Sequence, residues 1–364
     1  MTEQIIYTAA ANFEAARHVS LLPEGHRSRR LHGHSFLAKI RTKLSGDEIK
    51  FPGAGVGDLR GLLEDAVSLL DYRLLNELLE QPTDENIARL LRTNLKLTGM
   101  EAIGVQSTKH EGVDLDKNDN AHVWRRYTFE AAHQLPNVPQ GHKCGRMHGH
   151  GFEVILHASH GVSGQEIGID YDRLDALWAP IYKKLNYKCL NDISGLENPT
   201  SELISSWIWG ELKPHLPELS WVTVYETASC GAHFDGSDYR IWKEMTIDSA
   251  VQLKSAPTQD HRHSIHGHTF TLRLHLAAPL DKVMGWTMDF GDLKSIFNPI
   301  FLQLDHQPLF GNIDIPDTDC ASLAQWIRVR TLREIPEIDR IDLFETGGSG
   351  VILSVADIAP ALPV

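Results

Sequence analysis

Side chains alternate in period two along LSWVTVYETAS (219–229), whereas apolar residues recur at helical spacing in YDRLDALWAPIYKKL (171–185), at Leu174, Leu177, Trp178 and Ile181. The first pattern predicts a strand and the second an amphipathic helix. Around them, WRRYTFEAAHQL (124–135) reads as a strand, PNVPQGHKCGR (136–146) as a Gly/Pro-rich loop and HGHGFEVILHASH (148–160) as a second strand. The helix in YDRLDALWAPIYKKL follows a short extended start at GID. A further helix is expected in NPTSELISSWIWGELKPHL (198–216), with Thr200 placed to cap it and Pro214 near its end. SDYRIWKEMTI (237–247) is extended again. The order strand, strand, helix, helix, strand, strand predicts an α+β unit: a four-stranded antiparallel sheet with two helices on one face.

The pattern occurs three times. HGH appears at His32/His34, His148/His150 and His266/His268, in steps of 116 and 118 residues. The strand ends GVQST, VYETAS and LFETGG keep step, as do LLDYRLLNE, KLNYKCLND and QLDHQPLFG, and the helix starts QPTDENIARLL, NPTSELISSWI and PDTDCASLAQWI. A domain copied whole explains this period better than a solenoid does. The expected units are 1–120, 121–241 and 242–364. Three such sheets joined edge to edge close a barrel, which removes exposed sheet edges.

Composition narrows the function. A net charge of −13 over 364 residues argues against nucleic acid or an anionic membrane as partner, while leaving room for a local basic pocket. No segment approaches the ~20 apolar residues of a membrane span, and MTEQIIYTAAANF lacks the basic and apolar regions of a secretory leader. Cys144, Cys189, Cys230 and Cys320 have no paired spacing, so a disulfide framework is not expected. The expected compartment is the cytoplasm.

The middle copy concentrates the chemistry. His148 and His150 sit at i and i+2 of a strand and share a face. His133 ends the preceding strand, so three imidazoles converge with a fourth coordination position open, as suits a catalytic Zn²⁺. HxH alone is a weak signal in a chain with 20 histidines; His133 and the nearby Cys144 strengthen it. Cys144, beside Lys143 and a metal, reads as a base of lowered pKa, or else as a fourth ligand or a bystander. Glu226 closes the apolar row Val222, Val224. It is either a strand-end residue in solvent or a carboxylate that holds a ligand, such as the N–H pair of a guanine-like ring.

YTFEAAHQLPNVPQGHKCGRMHGHGF, LNDISGLENPTSELISSWIW and VYETASCG resemble the 6-carboxytetrahydropterin synthases, bacterial relatives of the 6-pyruvoyltetrahydropterin synthases. The resemblance covers 125–231; the outer copies share it more faintly. It implies the tunnelling fold, with three tandem units forming a pseudo-trimeric β-barrel. It also implies zinc on His133, His148 and His150, Cys144 as proton acceptor, and Glu226 as pterin anchor, with Thr200 and Glu345 as further substrate-binding candidates. The implied reaction converts 7,8-dihydroneopterin triphosphate to 6-carboxy-5,6,7,8-tetrahydropterin, with release of acetaldehyde and triphosphate, on the route to queuosine. The family's Asp-His relay pair is replaced by Asn186-Tyr187 in the middle copy and Asp71-Tyr72 in the first; only the third has it, as Asp305-His306. Conversely, the first and third copies carry Arg17 and Val251 in place of His133, and Ser28 and Arg262 in place of Cys144. The anchor glutamate is expected to persist as Glu345 and to become Gln106 in the first copy. The distribution suggests a fused trimer with one composite site, zinc and Cys144 of the middle unit meeting Asp305-His306 of the third, in a homodimer that mimics a hexamer. The alternatives are a pyruvoyl-forming or side-chain-cleaving pterin synthase, a non-catalytic pterin-binding paralogue, and an unrelated zinc hydrolase.

Overall fold

In the computed structural model, residues 3–161 and 169–355 are described. Residues 1–2, 162–168 and 356–364 lie outside them, and with them Gly168 at the head of the expected GIDYD segment.

The first unit comprises β1 (Gln4–Arg17), β2 (His32–Thr42), α1 (Gly55–Ser68), the two-residue β3 (Arg73–Leu74), α2 (Asp84–Leu95), β4 (Met100–Thr108) and β5 (Glu111–Asp116). The second repeats this as β6 (Asn120–His133), β7 (His148–Gly161), α3 (Tyr171–Leu185), β8 (Lys188–Cys189), α4 (Ser201–Leu212), β9 (Leu219–Thr227) and β10 (Cys230–Phe234). The third contains β11 (Tyr239–Val251), β12 (His266–Ala277), α5 (Phe290–Phe301), β13 (Gln307–Pro308), α6 (Cys320–Glu334), β14 (Ile338–Thr346) and β15 (Ser349–Ser354).

The twelve long strands pair in the order β10-β9-β7-β6-β5-β4-β2-β1-β15-β14-β12-β11, and β11 returns to β10, closing an antiparallel ring. Each seam joins the last strand of one unit to the first of another: β5 to β6, β10 to β11 and β15 to β1. Among the described residues no long edge remains open for mispairing. The pseudo-trimeric α+β barrel is as expected.

Alternation along the strands gives the sheet two faces. One carries Phe13, Phe36, Ile40, Phe129, Phe152, Val154, Val222 and Val224 into a core beneath α1 to α4. Phe270, Leu272, Leu274, Ile341 and Leu343 do the same beneath α5 and α6. Each such fully buried side chain contributes roughly 1.5–3 kcal/mol. The other face turns into the barrel and is polar although buried, with Lys39, Asp114, His157, His233, His275, Arg340 and Asp342.

Register is the same in all three hairpins. Arg17 pairs with His32, His133 with His148 and Val251 with His266, so the three HGH strands present equivalent positions. Thr83, Thr200 and Asp319 cap α2, α4 and α6 at equivalent sites. Among the described residues no helix is long and apolar enough to cross a membrane.

Candidate active site

The loop after β6 folds back on itself. Leu135 N–H donates to Cys144 C=O (2.8 Å) and His142 N–H to Pro139 C=O (3.0 Å), through Gly141 at φ +90°. A short 3₁₀ turn (Lys143–Gly145) follows, in which His142 Nδ1 accepts from Cys144 N–H. This brings the chain back alongside β6, so that His148 faces His133.

The three imidazoles converge as expected. One ligand atom from each of His133, His148 and His150 lies within 4.8 Å of the others. His133 Nδ1 donates to Pro199 C=O (3.0 Å) and His148 Nδ1 to Arg146 C=O (2.7 Å), which leaves each Nε2 with a lone pair. The Nε2 atoms of His133 and His150 are buried without a hydrogen-bond partner. Burial lowers the pKa of both rings and holds them neutral, the form a metal requires. This donor set fits a Zn²⁺ ion.

Glu226 ends β9 beside them. Its Oε2 accepts from Ser201 Oγ (2.8 Å), and its Oε1 lies 3.7 Å from His150 Nε2. It is therefore not a strand-end residue in free solvent. Cys144 is half-buried. Burial, and then Glu226, push its thiol pKa up, while Lys143 opposes without prevailing. The lowering expected from Lys143 does not occur among the protein's own groups.

Sequence reasoning missed the segment of the third unit that lies across this site. Asn137 Nδ2 donates to Val283 C=O, Asn198 Nδ2 to Met284 C=O and Thr200 Oγ1 to Gly285 C=O, each at 2.7 Å. Thr287 N–H donates to Glu202 Oε1 (2.8 Å), and Asp289 lies 3.5 Å from His142. Burial pushes the Glu202 carboxyl up to about 7. Gly285 adopts φ +71°, and a Cβ there would come within 2.9 Å of Asn198 and Leu203. Thr200 thus caps α4 and fastens this strap. The only sequence signal was the repeat itself, which places GWTMDFGDLK where the second unit has GIDYDRL.

Asp305 and His306 pair with each other (His306 Nδ1 to Asp305 Oδ2, 2.9 Å), and Asp305 also accepts from Asp248 N–H. His306 is 77% exposed in side chain and sits at φ +54°, matching Tyr72 and Tyr187. Among the described residues no contact joins this pair to Cys144 within the chain.

The outer centres differ in instructive ways. In the first unit, the Arg17 guanidinium lies 3.4 Å from His34 Nε2 and 2.6 Å from Asp84 Oδ1. Burial, then Arg17, lower the His34 pKa to about 4, so the ring stays neutral. A fixed cation thus stands where the second unit has its third imidazole. The register also corrects the anchor position. Gln106, Tyr225 and Phe344 oppose Leu37, Glu153 and Thr271, equivalent residues of the HGH strands. The residue matching Glu226 and Glu345 is therefore Ser107, not Gln106. Ser107 Oγ donates to Asp84 (2.9 Å), the mirror of Ser201 donating to Glu226: hydroxyl and carboxylate have exchanged places. In the third unit, Cys320 Sγ lies 3.6 Å from Glu345 Oε2.

The 6-pyruvoyl tetrahydropterin synthase family model matches residues 6–118, 122–237 and 240–355. The chain belongs to this family. A 6-carboxy-5,6,7,8-tetrahydropterin synthase of Synechocystis sp. is 39% identical over 119 residues, covering 31% of this chain and 91% of its own. A dihydroneopterin monophosphate aldolase of Pyrococcus furiosus is 34% identical over 117 residues, covering 31% and 96%. The Caenorhabditis elegans 6-pyruvoyl tetrahydropterin synthase structure aligns with 30% of this chain and 90% of its own, at 21% identity and TM-score 0.28. In this tetrahydropterin synthase family member, the family unit is present three times in one polypeptide.

Proposed function

We propose that the chain is a zinc-dependent lyase that converts 7,8-dihydroneopterin triphosphate to 6-carboxy-5,6,7,8-tetrahydropterin, for queuosine synthesis, at one working centre in the second unit. The observation that carries this is the set His133, His148 and His150 beside Cys144 and Glu226, a combination the other two units lack. Glu226, oriented by Ser201, takes the N–H pair of the pterin ring through charge-assisted bonds. Cys144 takes a proton from the substrate side chain as the thiolate, a form that a cation held on the neighbouring imidazoles would favour against burial and Glu226. His133, His148 and His150 would hold the zinc ion, which would supply Lewis-acid polarisation of the side-chain oxygens when bound.

The relay pair Asp305-His306 enters, in this reading, from a second chain. Leu31, Met147 and Ile265, each just before an HGH, are 67%, 51% and 63% exposed and repeat around one end of the barrel. Exposed apolar residues at three equivalent positions suit a face that meets its own copy. Asp248, which contacts the relay pair, lies three residues before Val251 on the same rim.

A side-chain-cleaving reaction is the second reading, favoured by the similarity to the dihydroneopterin monophosphate aldolase. Incubation with dihydroneopterin triphosphate, with product identification by mass and zinc counted per chain, separates the two. The proposal expects a carboxylated pterin, zinc near one per chain, and loss of turnover in Cys144→Ala and His306→Ala with metal retained. A pterin that has lost its side chain without gaining a carboxyl group supports the second reading. Full activity in His306→Ala removes the relay from the proposal.

A further inference from the structure

We propose that a cavity at the seam between the second and third units binds a phosphate or polyphosphate anion between Lys243 and Lys294. A break in the threefold repeat leads to it. In the second unit Arg125 is neutralised twice. Asp175 of α3 accepts two bonds from it (3.0 and 2.9 Å), and Glu111, directly opposite on β5, forms a second ion pair. The same register in the third unit places Lys243 opposite Cys230. Helix α5 repeats α3 with its internal proline in step, Pro299 for Pro180, so Lys294 stands where α3 has Asp175. Both carboxylates are gone and a second cation has been added. The first unit carries the uncharged Ala9 at this strand position.

The cavity measures about 430 Å³, within the range of small-molecule sites. Ser229, Thr246 and Asn298 add hydroxyl and amide groups beside the two lysines. Ser229 takes the place of His110: its C=O accepts from Glu244 N–H (2.7 Å) as His110 C=O accepts from Arg126 N–H (2.7 Å). A small hydroxyl in place of a ring leaves room. Lys243 Nζ donates to Ser229 Oγ (2.9 Å), and among the described residues neither lysine has a carboxylate partner. The carboxylate on the wall, Glu244, is taken by Arg273 (2.5 Å).

Two ammonium groups beside hydroxyl and amide donors suit an oxyanion, and lysine binds phosphate as a point charge. A phosphate group brings about two negative charges and three acceptor oxygens, enough for both lysines and a further donor. A single carboxylate would leave one lysine unmatched. The cavity adjoins the centre of the second unit. Ser229 follows Glu226 by three residues in the turn from β9 to β10, and Cys230 has both Glu226 and Lys243 as charged neighbours. The anion is either a free inorganic one or the phosphate tail of a substrate held at that centre. The second source rests on the function proposed above; the first does not.

The test uses the full chain. Binding of sodium tripolyphosphate is measured by calorimetry at constant ionic strength, which requires no turnover. The unaltered protein is expected to bind it saturably. Lys243→Met and Lys294→Met each weaken binding about tenfold, the effect of one lost bond to a charged group. Lys294→Asp, which restores the pairing seen at Arg125, abolishes binding while the thermal midpoint holds or rises. Lys294 is exposed on α5, so its variants leave the core untouched. A raised KM for dihydroneopterin triphosphate in Lys294→Asp assigns the site to a substrate tail; lost binding with an unchanged KM assigns it to a free anion. No binding to the unaltered protein, or equal binding in all three variants, would overturn the proposal whether or not the chain is a lyase.

Discussion

Three residues at one register position, His133, Arg17 and Val251, show how a metal centre is dismantled without unfolding its frame. Each ends the first strand of its unit and faces the first histidine of HGH. Arginine keeps a positive charge in the pocket and recruits Asp84, whose other oxygen takes bonds from Ser107 and Tyr171. Arg17→Met is expected to destabilise the fold by roughly 3–5 kcal/mol, because it strands a buried carboxylate. The urea midpoint measures this, and Arg17→Met/Asp84→Asn should recover much of the loss, with zinc content unchanged throughout. Glu202 makes a pH prediction. Burial raises its folded pKa to about 7 from an unfolded value near 4.5, so the folded state holds its proton more tightly. The stability it contributes is full below pH 4.5 and is lost as pH rises to 7, roughly 3 kcal/mol. Stability against pH from 4.5 to 8 should therefore lose this component in Glu202→Gln; superimposable curves would contradict it.

Among the elements, caps and seams divide the work. Thr83 and Thr200 cap equivalent helices, but only Thr200 also donates to the strap at Gly285. Thr83→Ala is expected to cost about 1 kcal/mol, the usual worth of a cap, and Thr200→Ala about twice that. Parallel denaturation of the two variants measures the difference. Most elements were legible from local pattern. The helix read in YDRLDALWAPIYKKL spans Tyr171–Leu185, the one in NPTSELISSWIW starts at Ser201 behind Thr200, and LSWVTVYET is β9. The histidine triad was legible because i, i+2 spacing and a hairpin return are local facts. The strap from Val283 to Thr287 was not, because contact between units leaves no periodicity in either segment. Nor was the swap of Gln106 for Ser107, since strand register depends on cross-strand pairing. Among the protein's own groups burial and Glu226 outweigh Lys143 at the Cys144 thiol, whereas the expected lowering counted a bound metal as well.

At the scale of the whole molecule, the closed ring buries a polar interior that must stay neutral where it has no partner. Burial lowers the pKa of His157 to about 3 and of His275 to about 4, and holds His233 well below its usual value. The unfolded chain binds these protons near pH 6.5, so the contribution of the neutral rings is full above 6.5 and is lost as pH falls towards 4. Denaturation at a series of pH values should show stability falling through this window with uptake of more than one proton on unfolding. A flat profile between pH 6.5 and 4.5 would contradict it. The ring has another consequence. Gln4 pairs with Ser354 where β15 meets β1, so the described ends of the chain lie side by side, and the tight turn at 117–119 joins β5 to β6 just as a short link joins β10 to β11. A gene that began at Asn120 and ran through a linked seam to Asp116 would draw the same circle. The order of the three units along the polypeptide is thus one of three equivalent cuts through a loop, and what distinguishes the units is which neighbour each leans on, not which is translated first.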